Sequence, residues 1–164
     1  MFKKFLGLFV VISILGMTLC SCNKEQRPST DEELCSAVFE ALQNNDAELF
    51  KSLLITEKTF QGMINSLDES DPKEKSIKDE FSKDFNVEKI AGASLKSFHE
   101  LAGQAQENDL DFKNAVYSGI HFNQVRYEAG NHICKKLKFK ITAGEEFYSA
   151  IVYLFQTDEG MFTP

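Results

Sequence analysis

The residue types that could do covalent or coordination chemistry are few in this chain, and they are scattered. His99, His121 and His132 lack the HxH or HxxxH spacing that turns two imidazoles toward one ion. Zinc needs three or four converging ligands, so no metal site is expected. The sequence carries no GxSxG elbow, no P-loop and no dinucleotide fingerprint, so no catalytic or cofactor-binding residue is nominated. Arg126, Glu128 and Lys135 flank the Gly130-Asn131 turn and could edge a pocket mouth, although an exposed hairpin end is the simpler expectation. Lys136, Lys138 and Lys140 alternate along one strand face, a pattern that suits an anion but suits a solvated sheet face better. Cysteine supplies the remaining candidate chemistry, at Cys20, Cys22, Cys35 and Cys134.

Cys20 and Cys22 close a segment with the layout of an export signal. Lys3 and Lys4 form a positive start, Phe5 to Leu15 is an almost unbroken apolar run, and the chain turns strongly polar from Asn23. The uncharged stretch is just long enough to span a bilayer as a helix, so its length does not separate a signal from an anchor. Its end does. Leu19-Cys20-Ser21-Cys22 resembles the lipobox of bacterial lipoproteins, with Leu19 at the aliphatic position, Ser21 at the small one and Cys22 as the acceptor thiol. Cys20 would follow the bulky Leu19 and is a poor rival. The resemblance implies a signal peptide over residues 1–21, a diacylglyceryl thioether and N-acylation (palmitate or a similar chain) at Cys22, and a polar tether over 22–29. It also implies attachment to a membrane of the cell envelope through Cys22. Asn23 is not the aspartate that can retain such proteins in an inner membrane, so an outer membrane is expected if the source has two.

The chain has 164 residues and a formal charge of −7. That length allows one domain, over residues 30–164, and the acidic balance argues against a nucleic-acid partner, which needs surplus Lys and Arg. Charge is uneven along the chain: 20 acids against 10 bases from Asn23 to Asp111, then 5 against 6 from Phe112 onward. The first part reads as helices. Thr30 opens a capping box with Glu33, Asp46 and Thr56 can cap the next two, and Asp71-Pro72 starts a fourth with proline at its first position. A further helix carries Val87, Ile90, Leu95, Phe98 and Leu101 at helical spacing.

The second part reads as three strands joined at Gly130-Asn131 and Ala143-Gly144. An Ala143-Gly144 turn would place Phe139 opposite Tyr148, Leu137 opposite Ala150 and Lys140 opposite Phe147. A parity change between Ile120/Phe122 and Val125/Tyr127 suggests a bulge near Asn123-Gln124. Cys35 falls on a helix face turned to the core and Cys134 on the strand face turned away, which argues against a bridge between them. The fold class expected is α+β, with N-terminal helices packed on a C-terminal antiparallel sheet.

Phe39-Glu40-Ala41-Leu42, Asp46, Phe50 to Leu54 and the run Ala150 to Gly160 resemble the nuclear-transport-factor-2-like (cystatin-like) superfamily. The resemblance implies a helix lying on a cystatin-like roll. The helical stretch Pro72–Glu107 departs from that pattern, and no catalytic residue maps across. The expected function is a membrane-tethered, non-catalytic binding module that meets a protein partner or a second copy through its sheet. The alternative is a small hydrolase or isomerase with a pocket.

Overall fold

In a computed structural model of the chain the described residues are 27–107 and 112–164. The signal segment 1–21, Cys20, Cys22 and the first part of the 22–29 tether lie outside them. The fold is α+β: helices α1 (Asp31–Asn44), α2 (Ala47–Ser52), α3 (Glu57–Asn65), α4 (Pro72–Asp84) and α5 (Val87–Glu107) precede a four-stranded sheet. The strands β1 (Val116–Ala129), β2 (His132–Ala143), β3 (Glu146–Thr157) and β4 (Gly160–Phe162) form an antiparallel meander in the order β1-β2-β3-β4.

Each of the first four helices begins where its cap demands. The Thr30 hydroxyl accepts from the Glu33 N–H at 3.1 Å, and the Asp46, Thr56 and Asp71 side chains accept the first free amides of α2, α3 and α4. The capping box at α1 is displaced by one residue. Glu33 accepts from the backbone N–H of Ser29 at 2.7 Å and from its hydroxyl at 2.8 Å, and the Ser29 amide, followed by its hydroxyl, holds the Glu33 carboxyl below its ordinary pKa. Asn45, in the left-handed region at φ 51, ends α1.

Two apolar clusters cover opposite faces of the sheet. α1, α2 and α5 lie on the inner face, where Leu34, Cys35, Val38 and Phe98 meet Leu137, Phe139, Ile141, Val152 and Leu154. α3 and α4 wrap one end onto the other face, where Phe60, Ile64, Phe81 and Phe85 meet Tyr127, Cys134 and Phe155. Cover on both faces explains why the successive β3 residues Leu154 and Phe155 are both apolar and buried. Cys35 and Cys134 belong to different clusters and are free thiols.

The hairpin at Gly130-Asn131 stands where the sequence puts it, with Ala129 paired to His132. The second hairpin does not. Ala143 pairs with Glu146, so the loop is Gly144-Glu145, with Phe139 opposite Ala150, Leu137 opposite Val152 and Lys140 opposite Ser149. Gly130 at φ +55 and Gly144 at φ +60 each take the first loop position, the position a type II′ hairpin reserves for glycine. The register therefore moves by two residues, which leaves every side chain on its expected face. In β1 the irregularities fall on either side of Asn123-Gln124: register shifts separate Tyr117 from Ile120, Ile120 from Phe122 and Val125 from Tyr127. At the first of them Gly119 adopts φ +87 and the Ile120 N–H turns to a Glu32 carboxylate oxygen at 3.3 Å.

Candidate functional site

Alternation along β2 places Lys136, Lys138 and Lys140 on the outer face, away from α1 and α5. Pairing brings Tyr153, Ile151 and Ser149 beside them on β3, and Gln124 and Phe122 on β1. α3 and α4 cover only the end of this face that holds Cys134, Tyr127 and Phe155. Over the rest no described element lies. Phe147 is 63% exposed, Ile151 52%, and Val116, Phe122 and Tyr153 are exposed as well. Each lysine stacks on a ring of the same face. Lys140 Nζ lies 3.5 Å from the Phe147 centroid, Lys138 Nζ 5.3 Å from Phe122 and Lys136 Nζ 5.8 Å from Tyr153. Such contacts are favourable by about 0.5–1 kcal/mol each at exposed sites, and they hold the aliphatic stems flat against the sheet. Among the described residues no carboxylate forms an ion pair with any of the three. The face is cationic and aromatic at once.

Arg126, Glu128 and Lys135 are not brought together. Lys135 points to the inner face and binds the Asp31 carboxylate at 2.9 and 3.0 Å. Glu128 stands exposed on β1 opposite Ile133. Arg126 is exposed between the paired residues Val125 and Tyr127, where its charge offsets part of the upward push on the Cys134 thiol and the Tyr127 phenol. None of the three lines the cavities described below.

One polar pair escaped sequence reading. Ser66 Oγ lies 2.6 Å from His132 Nε2, and the two share a cavity of about 210 Å³ with Glu74, Asn131 and Asp158. A serine 66 residues from its histidine leaves no local signal, because only the packing of α3 on the first hairpin joins them. The arrangement is incomplete as a nucleophile. Ser66 Oγ also donates to the Met63 carbonyl at 2.7 Å, which commits its proton to the backbone. His132 Nδ1 is buried with no hydrogen-bond partner, so no carboxylate orients the ring as a triad requires.

A larger groove of about 340 Å³ runs between α5 and the edge of β3, lined by Phe98, Leu101, Ile151 and Tyr153 among others. Its walls are mainly apolar and carry no titratable cluster. Cys35, whose thiol is pushed up to about 12 by burial and then by the nearby Glu32 and Asp31 charges, is inert as a nucleophile at neutral pH. Among the described residues no three His, Cys, Asp or Glu side chains stand close enough to hold a metal ion. No described helix is long and apolar enough to cross a membrane.

Comparison with known proteins finds no matching family model, no matching curated protein and no matching solved structure. The functional reading therefore rests on this geometry and on the sequence.

Proposed function

We propose that this protein is a lipid-anchored component of a bacterial cell envelope, held by acylated Cys22, whose folded part is a non-catalytic binding module. The observation that carries the module reading is the uncovered sheet face, where three lysines lie over exposed aromatic rings with no carboxylate among the described residues paired to them. A contiguous exposed apolar patch set among polar groups is the usual mark of an interaction surface. α1 lying across an antiparallel meander supports the cystatin-like resemblance, which carries no catalytic residue to this chain.

The anchor is tested at two cysteines. Cys22→Ser removes the thiol that takes the diacylglyceryl group, so the variant should keep its signal segment and fail to label with a fatty-acid probe. Cys20→Ser should label as the parent does. Labelling of Cys22→Ser, with loss in Cys20→Ser, would move the acceptor; labelling of both would end the lipobox reading. Fractionation of a two-membrane source should place the parent protein in the outer membrane.

The Ser66–His132 contact favours a second reading, a small hydrolase. A serine-directed fluorophosphonate probe checks it: labelling that disappears in Ser66→Ala would support a nucleophile, and absence of labelling leaves the binding module.

A further inference from the structure

We propose that the uncovered sheet face docks on an anionic lipid bilayer, an inference that deepens the binding-module reading and takes its orientation from the Cys22 anchor. The charge of −7, which becomes −9 once Lys3 and Lys4 leave with the signal segment, would suggest repulsion from such a surface. The fold separates the charges, however. The acids of α1, α2 and α5 lie behind the sheet, and those of α3 and α4, Glu80 beside Tyr127 among them, lie at the covered end of the outer face. Lys136, Lys138 and Lys140 stand alternately along the part of β2 that no described element covers. A leaflet meets that face and not the average charge, because screening confines each field to about 10 Å at ordinary ionic strength.

The side chains fit an interface in depth as well as in sign. Membrane surfaces take aromatic rings at the level of the headgroups and ammonium groups beside the phosphates. Here each lysine head is stacked on a ring or within reach of one, with Phe147 and Ile151 the most exposed apolar groups between them. A second copy of the chain fits poorly, since face-to-face pairing would bring three lysines against three.

The described chain also begins on this sheet, at the end where β4 pairs with Phe155 to Thr157. There the Pro28 carbonyl accepts from the Met161 N–H at 3.0 Å and the Arg27 guanidinium lies 4.6 Å from the Phe162 centroid. Only Asn23 to Gln26 separate Arg27 from Cys22, which limits the reach to about 18 Å. Acyl chains at Cys22 would hold this sheet next to the leaflet, and each lysine near an anionic surface multiplies docking about five-fold, so three give on the order of a hundred-fold.

The test uses the full chain as isolated from membranes, its fatty-acid content measured, reconstituted in vesicles of phosphatidylcholine with or without phosphatidylglycerol. The sequence has no tryptophan, so Phe147→Trp supplies a single indole on the face. On phosphatidylglycerol vesicles its emission should shift to the blue and be quenched by brominated acyl chains. High salt, or Lys136→Gln, Lys138→Gln and Lys140→Gln together, should reverse both changes with far-ultraviolet circular dichroism unaltered. A protein that sediments with both vesicle types while its indole stays in a water-like environment overturns the docking and points to an acidic protein as occupant. A chain that carries no fatty acid and sediments with neither overturns anchor and docking together. A chain without fatty acid that still sediments with phosphatidylglycerol through its lysines ends the anchor reading and upholds the docking.

Discussion

Lys135 and Asp31 tie the sheet to the first turn of α1, with Nζ 2.9 Å from one carboxylate oxygen and 3.0 Å from the other. The side chains are 14% and 18% exposed, whereas Lys136, Lys138 and Lys140 have no carboxylate partner among the described residues. The same carboxylate accepts from the Asn123 amide at 3.0 Å. Beside it Glu32 accepts from the Tyr117 phenol and the Ile120 N–H. The first turn of α1 is therefore the joint between the acidic half of the chain and the irregular stretch of β1.

Lys135→Met should accordingly destabilise the protein by about 1–3 kcal/mol. It leaves Asp31 half-desolvated with one neutral donor, a smaller version of the cost of breaking a buried pair. Lys75→Met, which breaks the exposed Lys75–Asp79 pair, should cost well under 1 kcal/mol. Urea unfolding of the two variants checks the contrast. Equal midpoints would mean that water replaces the Lys135 contact without loss.

Phe60 holds the second cluster. It is 1% exposed, stacks on Phe85 at 4.2 Å between centroids, and meets Phe81 and Phe155 edge-on at 6.1 and 6.4 Å. Phe60→Ala should cost about 3–5 kcal/mol, the usual penalty for an aromatic cavity in a core. Phe60→Leu should cost markedly less, because it keeps most of the apolar volume. Thermal unfolding measures both. If α3 and α4 form a separately melting unit, Phe60→Ala will instead split the transition in two.

The positions of the helices were legible in the sequence because caps and apolar spacing are local. Thr30, Asp46, Thr56 and Asp71-Pro72 all start helices where their side chains can accept free amides. The faces of β2 and β3 were legible for the same reason, since alternation decides them whatever the register. The pairing itself was not. Both Ala143-Gly144 and Gly144-Glu145 satisfy a glycine-bearing turn, and only glycine's preference for the first loop position separates them. The bulges of β1 depend on Glu32, a residue some 88 positions away that captures the Ile120 N–H. The uncovered lysine face was legible as a pattern, while its exposure depended on α3 and α4 stopping at Cys134 and Phe155. Ser66 and His132 share no sequence signal at all.

The two free thiols among the described residues, Cys35 and Cys134, make alkaline pH the sensitive direction. Burial pushes Cys35 up to about 12 and Cys134 up to about 11, against an ordinary value of 9.0. Above pH 9 the unfolded chain releases thiol protons that the folded chain retains. The unfolded state then binds fewer protons, so unfolding becomes easier as pH rises. Stability should be level through neutral pH as far as these groups are concerned and decline from about pH 9 toward pH 12. Tyr117, raised by burial and by its bond to Glu32, adds to the fall. Urea midpoints at pH 8 and pH 10 measure the slope, and Cys35→Ala should flatten it while lowering the midpoint at pH 8 through the cavity it leaves. Iodoacetamide gives an independent reading. At pH 8 the native protein should resist alkylation at Cys35 and Cys134, and unfolding without reductant should expose both to the reagent. A peptide map in which unfolded, unreduced chain leaves both unmodified would establish a bridge between the two faces of the sheet, and with it a different packing of α1 on β2.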